Sequence, residues 1–147
     1  MIRVVLDANQ YVSALLEPHS NPAKIVRLVY EGDLTLLLSP AILDELQHVL
    51  TYPGIKKLHR RTPEEIERFF RKLEKIAVTT PGILSVSAIV DDPSDNIYLA
   101  CAVEGGAGFI VSGDHHLTDL KTFHGIPIVN PATFLKLIAE LCGTSEK

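Results

Sequence analysis

Short apolar runs alternate with capped helical stretches from one end of this chain to the other. That alternation constrains the fold more tightly than any other feature. Residues 2–6, 34–38, 109–112 and 126–129 are brief runs rich in Val, Ile and Leu, the pattern of strands buried on both faces. Between them, Asn21-Pro22, Ser39-Pro40 and Asn130-Pro131 each give a capping residue followed by a first-turn proline. Gly32, Gly105-Gly106 and Gly143 stand where such helices would stop. A brief helix is expected near 11–16, and another after Ser39 carries Ile42, Leu43, Leu46, Val49 and Leu50 on one side. Pro53-Gly54 reads as a break. Thr62-Pro63-Glu64-Glu65 is a capping box that opens a helix with Ile66, Phe69, Phe70 and Leu73 in one stripe, a packing or dimer surface. Residues 77–79 suggest a short strand, and a helix is expected over about 95–103. Strands spaced by helices require crossover connections. The expected fold is therefore α/β, a three-layer α/β/α arrangement with a central, mostly parallel sheet.

At 147 residues and 46% hydrophobic, the chain has the material for one domain, residues 1–147. No apolar run approaches the ~20 residues of a membrane-spanning helix. Asp7 arrives too early for a secretory leader, and Cys101 and Cys142 lack any CxxC spacing. These features lead us to expect a soluble, cytoplasmic protein with reduced cysteines and no membrane partner. The net charge of −4 hides a strong asymmetry. Residues 56–75 hold eight basic and four acidic side chains, +4, while the other 127 residues hold six basic and fourteen acidic ones, −8. Glu64–Arg68 and Glu67–Arg71 have helical pair spacing and would neutralise one another. Lys56, Lys57, Arg60 and Arg61 have fewer acidic neighbours, so they are the candidate RNA phosphate contacts.

Ligands of open parallel sheets bind at the carboxyl ends of the strands. Asp7 directly follows the first strand, and Asp114 follows the 109–112 strand just beyond Gly113. Asp95 falls in the first turn of a helix, and Glu45 on the helix after the second strand. Two carboxylates ~4 Å apart repel by roughly 4 kcal/mol at an effective dielectric of 20, so four of them gathered together call for protons or a divalent ion. Oxygen donors suit Mg²⁺ or Mn²⁺. Such ions activate water and steady phosphoryl oxygens, which points to phosphodiester hydrolysis. Blander roles stand beside these. Asp7 and Asp114 could be cap or turn residues, and Asp92 and Asp44 compete with Asp95 and Glu45. Asn9 and Ser112 could serve backbone groups or instead hydrogen-bond Asp7 or a bound water. His115-His116 reads as an incidental loop pair, with a general base or phosphate contact as its sharper alternative.

Four segments in order carry a resemblance. Leu6-Asp7-Ala8-Asn9-Gln10-Tyr11-Val12-Ser13, Ser39-Pro40-Ala41-Ile42-Leu43-Asp44-Glu45-Leu46, Asp92-Pro93-Ser94-Asp95-Asn96 and Val111-Ser112-Gly113-Asp114 resemble the motifs of PIN-domain nucleases. Residues 125–135 are similar to that family's last strand and helix. Ser112 stands where Thr is commoner, and Gln10 where an aliphatic residue is usual. The branch most resembled is the standalone prokaryotic toxin component of the VapC type. The resemblance implies an Mg²⁺- or Mn²⁺-dependent endoribonuclease, with one or two ions on Asp7, Glu45, Asp95 and Asp114. It also implies RNA as substrate, 5′-phosphate and 3′-hydroxyl ends, a small antitoxin partner, and frequent homodimers. The alternatives are an RNA-processing nuclease outside any toxin–antitoxin pair, or a PIN-like module that binds RNA or a partner without cutting. Aspartyl-phosphate chemistry would want DxD after the first strand, but residue 9 is Asn. No phosphate-binding glycine motif is present.

Overall fold

A computed structural model describes residues 1–86 and 95–142. Asp92 and Gly143 lie outside the described residues, as does the Cys142 side chain. In chain order the elements are β1 (Arg3–Leu6), α1 (Ala8–Leu16), α2 (Asn21–Tyr30), β2 (Thr35–Leu38), α3 (Pro40–Thr51), α4 (Pro53–His59), α5 (Pro63–Ile76) and β3 (Val78–Thr79). They continue as α6 (Asn96–Gly105), β4 (Phe109–Val111), α7 (His115–Thr118), β5 (Thr122–Phe123), β6 (Ile126–Val129) and α8 (Pro131–Cys142).

The six strands form one sheet in the order β3-β2-β1-β4-β6-β5. Every pairing is parallel except β5 with β6. Val4, Val5, Leu6, Leu37, Leu38, Ile110 and Val111 are fully buried, because helices cover the sheet on both faces and leave no solvated side for polar alternation. The expected three-layer α/β architecture is what the chain forms.

Local chemistry sets the helix starts. Ser20, Ser39 and Thr62 cap α2, α3 and α5, each followed by a proline or an Asn-Pro pair, and the Thr62–Glu65 capping box closes in both directions. Ile66, Phe70 and Leu73 turn into the core, as helical spacing expects. One close approach fixes α6. A Cβ added at Gly105 would stand 2.8 Å from Leu37 Cδ1 and 3.1 Å from Thr80 Cγ2, so glycine lets this helix lie tight on β2 without displacing those side chains. Gly106 then ends it at φ 66°, the left-handed region that glycine enters without strain.

Three elements depart from the expectation. α1 begins at Ala8 rather than at 11, because Asp7 itself caps it. Pro53-Gly54 does not break the chain into a loop but opens α4, with Pro53 in the first turn. α7 and β5 are too short to leave a periodic signal. His59, buried in α4, bonds the Leu50 carbonyl at 2.9 Å and accepts the Arg61 N–H at 2.9 Å, which ties α4 to the end of α3.

Candidate metal centre

β1 and β4 are neighbours, with Leu6 in register with Val111. The residues just past their ends, Asp7 and Ser112, therefore meet at the carboxyl edge. The Asp7 N–H bonds the Val111 carbonyl at 3.2 Å, and Asp7 Oδ1 accepts from both the backbone N–H and the side-chain amide of Gln10 at 3.3 Å. Ser112 Oγ donates to Asp7 Oδ2 and accepts the Asp114 N–H at 2.9 Å. A hydroxyl relay thus ties the first carboxylate to the backbone of the fourth. Ser112 is fully buried and Asp7 is 3% exposed. Burial raises the Asp7 pKa; hydrogen bonds from Ser112 and Gln10 oppose that rise, and the negative charge of Asp114 adds to it.

Asp114 caps α7 by accepting the His116 N–H at 2.9 Å, and the His116 ring Nδ1 lies 3.5 Å from the same oxygen. Asp95 is 9% exposed at the N-cap of α6, where it makes no side-chain cap hydrogen bond. One ligand atom each from Asp95, Asp114 and His116 lies within 4.8 Å of the others. Tyr98 reports where the remaining acids sit. Its hydroxyl accepts the Ala8 N–H at 3.2 Å, and its pKa is pushed far up by burial and then by the charges of Asp7, Glu45 and Asp95. The charges of those three carboxylates thus act on one buried phenol. Glu45 is half-buried and Asp44 exposed, so Glu45 is the more enclosed of the pair. It lines an open cleft of about 550 Å³ together with Asp44, Gln47, His48, Thr51 and Ile97.

The neighbouring groups only partly follow the expectation. Ser112 bonds Asp7, but Asn9 is exposed and makes no hydrogen bond to Asp7; Gln10 takes that place. The reason is the helix start. With Asp7 as N-cap, Asn9 is the second helical residue and faces solvent, while Gln10 is the third and its amide donates back to the Asp7 carboxylate. The Asp-x-x-Gln spacing carried that signal. His116 is the other unforeseen group, since a loop pair gives no hint that a short helix fixes one ring beside an acid. Lys56, Lys57 and Arg60 are exposed on and just after α4. Arg61 is turned inward, donating to the Leu15 carbonyl at 3.0 Å, so it ties α1 to the α4–α5 junction instead of facing solvent.

These residues fit a divalent cation. Among the described residues, no Lys or Arg pairs with Asp7, Glu45 or Asp114. His116 Nδ1 is buried without a hydrogen-bond partner, beside two carboxylates that offer hard oxygen donors.

A mostly parallel sheet covered by helices on both faces, with carboxylates at its carboxyl edge, defines an α/β domain with a candidate metal centre. The sequence matches the PIN domain family over residues 3–116, and the chain belongs to that family. PIN domains are in general nucleases that use divalent metal. The chain is 29% identical over 129 residues to the uncharacterized protein MJ1680 of Methanocaldococcus jannaschii, covering 82% of this chain and 76% of that one. Its fold resembles a chain in the structure of VapBC2 from Rickettsia felis bound to a DNA fragment from its promoter, with a TM-score of 0.54 and 14% identity. That match spans 88% of this chain and 98% of the other. PAE2754 from Pyrobaculum aerophilum is similar at a TM-score of 0.53 and 16% identity, over 94% of this chain and 90% of its own. Among the described residues, no helix is long and apolar enough to cross a membrane.

Proposed function

We propose that this protein is a divalent-metal-dependent endoribonuclease and the toxin component of a toxin–antitoxin pair. The observations that carry the reading are that Asp95, Asp114 and His116 lie within ligating reach of one another and that Ser112 ties Asp7 to Asp114; Glu45 is the fourth acid we assign to the same edge. A bound Mg²⁺ or Mn²⁺ supplies water activation and charge neutralisation at a phosphoryl group. The chain's own residues hold the acids for that task. Gln10 and Ser112 fix both oxygens of Asp7, and the same Ser112 hydroxyl fixes the backbone of Asp114. Tyr98, on α6 with its hydroxyl on the first N–H of α1, locks the helix that Asp95 caps to the one that Asp7 caps.

RNA is the proposed substrate, entering along the cleft beside Glu45, with Lys56, Lys57 and Arg60 as phosphate contacts. The order of the four motifs, the PIN family match and the VapBC2-like fold support the toxin reading, with a small antitoxin protein and a second copy of the chain as partners.

The test is direct. Purified protein with Mg²⁺ or Mn²⁺ should cut RNA to 5′-phosphate and 3′-hydroxyl ends, and Asp7→Asn and Asp114→Asn should not. Equal cutting by wild type and both variants would place the activity elsewhere. Metal binding with RNA affinity but no cleavage would mark the domain as a binding module.

A further inference from the structure

The two adjacent histidines of α7 are not equivalent. The His115 side chain is 75% exposed, whereas that of His116 is 32% exposed and its Nδ1 is buried without a hydrogen-bond partner. α7 is also held firmly for so short a helix. Asp114 caps it, the Thr118 hydroxyl returns to the Asp114 carbonyl at 3.2 Å, and Leu117 is fully buried in the core. The His116 backbone is thereby held beside Asp114, with the ring Nδ1 3.5 Å from Asp114 Oδ1. A buried ring nitrogen 3.5 Å from a carboxylate oxygen, too far for a good hydrogen bond, gains from a group that completes the contact.

The distances fit an ion. Ligands at ~2.0–2.2 Å from a common metal stand at most about 4.4 Å from one another. The donors of Asp95, Asp114 and His116 already lie within 4.8 Å, so small side-chain rotations would close the set. Mg²⁺ prefers oxygen donors and retains its waters, while first-row transition ions accept imidazole readily.

We propose that His116 supplies a nitrogen ligand to the divalent ion held between Asp95 and Asp114, and so makes this centre favour Mn²⁺ over Mg²⁺. The proposal rests on the reading of the acidic edge as a metal centre and adds a residue and an ion preference to it. The ring stands beside the same Asp114 that Ser112 positions, so the nitrogen donor belongs to the carboxylate set and not to a separate surface site.

The experiment pairs calorimetric titration of Mn²⁺ and of Mg²⁺ with pulsed electron paramagnetic resonance of the Mn²⁺-loaded protein. Wild type should bind Mn²⁺ more tightly and show hyperfine coupling to one histidine nitrogen. Labelling histidine with ¹⁵N should convert that signal without altering a single residue. His116→Ala should weaken Mn²⁺ binding at least about tenfold, since even groups outside the ligand set are worth 10–100-fold, and should abolish the coupling. It should weaken Mg²⁺ binding far less than Mn²⁺ binding, and His115→Ala should keep the nitrogen coupling. Mn²⁺ binding without nitrogen coupling in the labelled wild type, or undiminished in His116→Ala, would overturn the proposal while leaving the carboxylate centre standing. Failure of wild type to bind either ion would remove the centre and the proposal together.

Discussion

Replacing Ser112 by alanine removes the hydroxyl that joins Asp7 to Asp114, and the structure lets the cost be worked out. Ser112 is fully buried, donates to Asp7 Oδ2, and accepts the Asp114 N–H at 2.9 Å. A hydrogen bond to a charged group contributes about 1.5–3 kcal/mol, and the Asp114 N–H loses its acceptor as well. A loss of about 2 kcal/mol or more is therefore expected for the metal-free protein. With a urea m-value of roughly 2 kcal/mol per molar for a domain of this size, the unfolding midpoint should fall by about 1 M. Ser112→Thr keeps the hydroxyl and should lose much less. The assay is urea unfolding at pH 7 in excess chelator, followed by Mn²⁺ titration of both variants. Because the lost hydroxyl positions two of the four acids, Ser112→Ala should also bind metal more weakly, while Ser112→Thr should not. A Ser112→Ala midpoint within the error of wild type would show that the relay between Asp7 and Asp114 contributes nothing. The account of how the edge is organised would then fail.

Three further outcomes are expected. Burial raises the Asp7 pKa, so the folded state favours its protonated form; metal-free stability should therefore be fully present below the ordinary value of 3.8 and decline as pH rises through the raised one. Asp7→Asn should flatten that decline and leave the metal-free protein at least as stable as wild type at pH 7 while abolishing cleavage, as thermal melts in chelator would show. The Glu104 carboxylate accepts the N–H groups of Gly82, Ile83 and Leu84 at 2.8, 2.8 and 3.0 Å, and those bonds, that of Leu84 foremost, lower its pKa. Glu104→Gln should speed hydrogen exchange at those three amides, and in wild type the protection should fade as pH drops through the lowered value. Gly105→Ala would press a Cβ against Leu37 and Thr80, so an overpacking cost of about 1–3 kcal/mol should exceed the ~1 kcal/mol gained from better helix propensity, read as a lower melting temperature.

The sequence made the frame legible because its signals were local and repeated. Buried runs at β1, β2, β4 and β6, together with capped helices after β2 and β6, leave little choice but a covered parallel sheet. Asp7 and Asp114 were readable for the same reason, since both stand just past the end of a strand. Glu45 was not separable from Asp44 by pattern alone, and both line the same cleft; the greater enclosure of Glu45 favours it. Arg61 looked like its basic neighbours, and only the Leu15 carbonyl, 46 residues away in sequence, turns it inward. His116 was hidden in the same way. Its position depends on α7, whose four residues are too few to show a period.

The central claim is that the four acids form one cation site. Crystals soaked in Mn²⁺ and measured for anomalous scattering test it most directly. The account expects a strong peak enclosed by the carboxylates of Asp7, Glu45, Asp95 and Asp114, lost in Asp114→Asn. A map with Mn²⁺ bound elsewhere on the protein and nothing at this edge would contradict it.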